Sequence, residues 1–120
     1  LKLEEEQLNL NQKSLQVAIK VRSYYKQFES LKQQIRTQEA AVANYQSLVR
    51  AEESRFELGE SSLFLINSRE VKALEAAEKL IDLKTYFLKT TVSLQAYAGI
   101  LSETSGLWFD LRKSFVIIRS

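Results

Sequence analysis

The sequence predicts an all-α fold, a long antiparallel two-helix coiled-coil hairpin. Backbone breakers are scarce, with three Gly and no Pro in 120 residues. Apolar residues recur at a seven-residue period along most of the chain. That period stops only at the stretch Arg55-Phe56-Glu57-Leu58-Gly59-Glu60-Ser61-Ser62-Leu63 and then resumes, so this stretch reads as the hairpin tip. The helices are placed at about residues 1–58 and 62–99, with 1–101 as the hairpin and 102–120 as a short C-terminal tail.

The first helix has no Gly or Pro before its end, and Val21, Phe28, Ile35, Val42, Val49 and Phe56 form its seam. Tyr24, Leu31 and Tyr45 support that seam three residues on, while Gln38 and Glu52 occupy the same row and are expected to dilute a dry core. Towards the start the apolar row shifts to Leu1, Leu8 and Leu15, a register slip of the kind a stutter or a change of packing partner requires. At ~1.5 Å per residue such a helix reaches on the order of 80 Å, more than a small globular domain needs.

Gly59 stands where a helix takes a left-handed C-terminal cap, because glycine carries no Cβ penalty there. Ser61 and Ser62 follow as candidate N-caps for the second helix. Phe64 and Leu65 fall where a capping box needs Glu or Gln, so no box is completed.

In the second helix Ile66, Ala73, Leu80, Phe87, Leu94 and Leu101 again recur at sevens. Folding the chain back at Ser61 opposes Phe56 to Ile66, Val49 to Ala73, Val42 to Leu80, Ile35 to Phe87, Phe28 to Leu94 and Val21 to Leu101. One register satisfies every pair, whereas a slip of one or two residues turns a polar face into the contact. A second stripe, Leu74, Ile81 and Leu88, lies one residue beyond the first, and Ala76 and Ala77 leave room for a close neighbour. It serves either to pack the hairpin against more helices or to thicken the two-helix core.

Gly99 is expected to end the second helix and Ser102-Glu103-Thr104-Ser105-Gly106 to form a turn. In the tail, Leu107-Trp108-Phe109-Asp110-Leu111-Arg112 suits one amphipathic turn and Phe115-Val116-Ile117-Ile118 a short strand.

Composition narrows the function. Lys and Arg total 17 against 15 Asp and Glu, a net charge of +2, and the signs are mixed along the chain, so nucleic acid is not indicated as a partner. With no Cys and no His, the chain lacks disulfides, thiol nucleophiles, the commonest metal ligand and the commonest general base. Neither an enzyme nor a cofactor or metal site is expected; the adjacent acids Glu52 and Glu53 read as a solvated surface. No apolar run approaches the roughly 20 residues of a spanning helix. Leu1-Lys2-Leu3-Glu4-Glu5-Glu6 is neither a signal peptide nor an initiator methionine, and the chain reads as a piece of a longer protein.

The run from Arg55 to Leu63, followed by an Ala-rich amphipathic helix through Ala73, Ala76 and Ala77 and ending near Leu94, Tyr97 and Gly99, resembles the TolC-like outer-membrane efflux channel family. The pattern is aromatic, any residue, aliphatic, Gly, any residue, two Ser/Thr and aliphatic, and the resemblance covers roughly residues 15–101. It implies that the chain is a hairpin of a trimeric α-helical barrel crossing the periplasm of a Gram-negative bacterium. The outer-membrane β-barrel would be built from other parts of the protein. The conduit implied is passive, part of a tripartite efflux or type I secretion system, and meets a periplasmic adaptor at its hairpin tips while an inner-membrane transporter feeds the assembly. Carried over by position, Leu58, Gly59, Ser61, Ser62 and Leu63 are the docking loop, and Arg55, Phe56, Leu65 and Arg69 stand near the gate. The family's basic residue two after the tip glycine is replaced by Ser61, and its acids six and nine after it by Leu65 and Ser68. A gate here would therefore rest on Leu65 or Phe64, or on Arg69 and Glu70. A periplasmic adaptor hairpin, or another structural coiled-coil spacer, shares the seam and the reversal and is the alternative reading.

Overall fold

The computed structural model describes residues 1–104. It contains two α-helices, α1 over Lys2–Glu57 (56 residues) and α2 over Leu63–Thr104 (42 residues), antiparallel and packed as a hairpin, with no strand among the described residues. Both are built from strong helix formers. Glu4 and Glu5 in the first turn of α1 and Arg55 in its last turn have the signs that the helix dipole favours. No helix is long and apolar enough among the described residues to cross a membrane.

Contacts divide the chain into a tip unit, residues 29–88, and a terminal unit, residues 1–28 with the chain from 89 onward. In the tip unit Ile35, Val42 and Val49 are half-buried and Leu31 is buried, while on α2 Ile66 is buried and Ala73, Leu80 and Phe87 are half-buried. Phe56, the last seam residue of α1, remains exposed. Reflection through Ser61 takes Glu39 to Leu83, and Glu39 pairs with the adjacent Lys84 at 3.6 Å. The same reflection takes Glu52 to Glu70, and Glu52 pairs with the adjacent Arg69 at 3.7 Å.

In the terminal unit Val21, Tyr24 and Phe28 are half-buried, as are Leu94, Tyr97 and Leu101, and Thr90 is buried. Tyr24 and Tyr97 stack with ring centroids 5.4 Å apart, and the Lys20 ammonium lies 5.1 Å from the Tyr97 ring centre.

The seam has a second row on α2 that apolarity alone does not reveal: Ala76 and Thr90 are buried and Leu83 and Tyr97 half-buried, again at sevens. The Gln38 side chain, in the matching row of α1, donates to the Ala76 carbonyl at 3.0 Å instead of thinning the core.

Two expectations are corrected and one of two open readings is excluded. The second helix does not stop at Gly99 but runs to Thr104. A glycine inside a helix costs only about 1 kcal/mol relative to alanine, and half-burial of the seam residue Leu101 beyond it offsets that. Ser102 accordingly donates back to the Gly99 carbonyl at 2.9 Å, within the helix and not in a turn. The stripe Leu74, Ile81 and Leu88 does not thicken the core, since these residues are 62%, 63% and 64% exposed; it lies on a flank of α2 turned away from α1. Leu1, Leu8 and Leu15 are likewise exposed, so the shifted row has no packing partner among the described residues. Ser105 and Gly106 of the expected turn, and the segments 107–112 and 115–118, read as a helical turn and a strand, lie outside the described residues.

Candidate functional site

The candidate site is the hairpin tip, and its backbone is defined by two caps. Gly59 has φ of +76°, the left-handed conformation that L side chains resist. Its N–H donates to the Phe56 carbonyl at 3.0 Å and the Glu60 N–H to the Arg55 carbonyl at 2.9 Å. This is the Schellman arrangement, which satisfies carbonyls that the end of α1 would leave unpaired. On the other side Ser62 is the N-cap of α2: its Oγ accepts from the Leu65 N–H at 3.3 Å, and its carbonyl from the Ile66 N–H at 3.2 Å.

Ser61, the other candidate cap, is used differently. Its hydroxyl donates to a carboxylate oxygen of Glu52. Glu52 is only 4% exposed, which overturns its reading as a solvated surface group. It shares the seam row of Tyr24, Leu31, Gln38 and Tyr45, so its backbone position carries it between the helices while Glu53, one residue on, faces water. A buried carboxylate needs compensation. Besides Ser61, the guanidinium of Arg69 lies 3.7 Å and that of Arg55 3.9 Å from its other oxygen, each on a half-exposed side chain. One carboxylate thus gathers a residue of α1, one of the reversal and one of α2.

The two tip serines and the two nearby arginines are therefore engaged within the chain. Ser62 caps α2, Ser61 binds Glu52, and Arg55 and Arg69, placed near a gate by the resemblance, both attend the same acid. Large apolar side chains face water there: Leu58 is 74%, Leu63 64% and Phe64 79% exposed, with Phe56 and Leu65 less so. Glu57 and Glu60 are exposed around them. The structure brings Leu58, Gly59, Ser61, Ser62 and Leu63 together in one reversal, with Leu58 and Leu63 as its free side chains.

Beside the tip an open groove follows the helix pair, lined among others by Val49, Arg50, Glu53, Ala73, Leu74 and Ala77. Its small alanines and its contact with the exposed Leu74 stripe make it the flank best suited to a neighbouring helix. No group of three His, Cys, Asp or Glu side chains suited to a metal gathers among the described residues.

Comparison with family models, with curated proteins and with solved structures finds no match. Reading the sequence places Glu52 in a seam row otherwise filled by Tyr, Leu and Gln but gives it no role at the tip; its partners Ser61 and Arg69 are brought to it only by the fold.

Proposed function

We propose that this chain is the periplasmic helical hairpin of a TolC-like outer-membrane channel, one wall element of a homotrimeric passive export conduit. Its tip docks a periplasmic adaptor, through which an inner-membrane transporter delivers substrate. The observation that carries the reading is the apolar tip: Leu58, Leu63 and Phe64 stand in water on a reversal whose two serines are bonded within the hairpin. Exposing large apolar groups on a well-capped turn costs solubility and contributes nothing to the hairpin's own core, which suits a surface that another protein covers. The exposed Leu74, Ile81 and Leu88 flank supports the same reading, because a barrel wall needs apolar sides for its neighbouring hairpins. The pattern from Phe56 through Gly59 to Leu63 supports the choice of family.

The test is site-specific crosslinking in the full-length protein. The 120 residues contain no cysteine, so in a full-length background cleared of any cysteine elsewhere, single cysteines replacing Leu58, Glu60 or Leu63 report on the tip and one replacing Lys79 on the helix side. Tip positions are expected to capture the hairpin tip of a periplasmic adaptor, with Lys79→Cys giving no such product. Capture of partners from Lys79→Cys with a silent tip would overturn docking and favour a coiled-coil spacer.

A further inference from the structure

We infer that Glu52 is the positioning residue of the tip: a buried carboxylate that locks the reversal to both helices and thereby sets the direction in which Leu58, Leu63 and Phe64 are presented. This does not depend on what the tip binds. The caps at Gly59 and Ser62 satisfy backbone groups of the two helix ends, but each acts within its own helix end. Between them lie Leu58 to Ser62, and the Ser61 hydroxyl on Glu52 is the side-chain bond that ties this connection to the seam. Arg55 then comes from α1 and Arg69 from α2, so the acid has partners in all three segments.

The location is informative because the row holding Glu52 is a seam row. Leucine would fill that seat and strengthen the apolar contact, as Leu31 does three heptads earlier. A polar residue in such a row exchanges stability for a defined geometry, the best-attested role of buried polar groups in coiled coils. A seam of apolar residues repeated at sevens resists sliding weakly, since a displaced register still brings apolar rows together. Arg55 moves with Glu52 on α1, but Ser61 and Arg69 both meet the carboxylate in one register only.

The prediction is a split between two readouts that a purely space-filling role would not separate. In the full chain, Glu52→Leu is expected to leave the unfolding midpoint unchanged or raised. The Gly59 and Glu60 amides, which close the reversal, are expected to exchange with deuterium roughly tenfold faster or more, as loss of a charge-assisted anchor implies. Glu52→Gln, which still accepts from Ser61 but no longer attracts the two guanidinium groups, is expected to show a smaller acceleration at the same amides. Unchanged tip exchange in Glu52→Leu would overturn the inference, as would acceleration that merely keeps pace with the rest of the hairpin. Should Glu52→Leu fail to fold, Glu52→Gln decides: wild-type protection of Gly59 and Glu60 in that variant overturns it equally.

Discussion

The tip unit and the terminal unit are built from the same helices on the same seven-residue period, yet they use it differently. In the tip unit the seam contains buried Leu31, Ile66 and Ala76, and its polar members are bonded, Gln38 to the Ala76 carbonyl and Glu52 to Ser61. In the terminal unit the seam buries the small Thr90 but leaves Val21, Tyr24, Phe28, Leu94 and Tyr97 half-buried, and Leu1, Leu8, Leu15 and Ile19 stand exposed on the other side of α1. A hairpin of two helices can bury only one stripe of each. Where the sequence supplies a second stripe, as at Leu8 and Leu15 or at Leu74 and Ile81, the side chains are left for something outside the hairpin.

The largest test of this contrast is truncation of a leucine in each unit. Leu31→Ala removes a buried side chain and leaves a gap in the tip unit, which places its cost at about 2–3 kcal/mol, the lower part of the range for leucine truncation. Leu8→Ala changes an exposed helical position and is expected to shift stability by less than about 0.5 kcal/mol. Chemical unfolding followed by helix content gives both numbers. Equal losses would mean that Leu8 is packed in the folded chain and that the contrast is false.

The sequence made the seam and the reversal legible because both depend on local chemistry. The spacing of Val42, Val49, Leu80 and Phe87 is itself the helix period, and Gly59 is the residue type that a positive φ demands. The second α2 row was hidden because Ala76 and Thr90 are small or polar, and a search for large apolar side chains passes over them. Glu52 was misjudged for a related reason. Its burial depends on Ser61 and Arg69, which only the fold brings to it, and residue type alone argues for the surface. The helix end was misplaced because glycine was given one meaning; at Gly99 the continuing seam at Leu101 outweighs its poor propensity.

Those two glycines give the next test. No heavy atom would lie within 4 Å of a Cβ at either position, so backbone conformation alone separates them. Gly59→Ala forces a side chain into the left-handed region and is expected to destabilise by about 1–2 kcal/mol. Gly99→Ala relieves a helical glycine and is expected to stabilise by about 0.5–1 kcal/mol. Opposite shifts in the unfolding midpoint would establish that one glycine ends a helix and the other lies within one. A gain at both positions would remove the basis for a left-handed tip.

The smallest effect concerns how the terminal unit is held where the large side chains of its seam are half-buried. The Lys20 ammonium lies 3.3 Å from the Tyr97 hydroxyl, at the hydroxyl end of the ring and not over its face, and Tyr97 itself stacks on Tyr24. A hydrogen bond of this kind at an exposed site is worth about 0.5–1.5 kcal/mol. Lys84, paired with Glu39 on the surface of the tip unit, contributes about 0–1 kcal/mol that salt screens. Lys20→Ala is therefore expected to cost slightly more than Lys84→Ala, and to keep more of that cost at high salt, because its hydrogen bond is made to a neutral hydroxyl on a ring the seam holds in place. A Lys20→Ala loss that vanishes in salt alongside that of Lys84→Ala would reduce the hydroxyl contact to ordinary surface charge and leave the Tyr24–Tyr97 stack as the feature that closes this end of the seam.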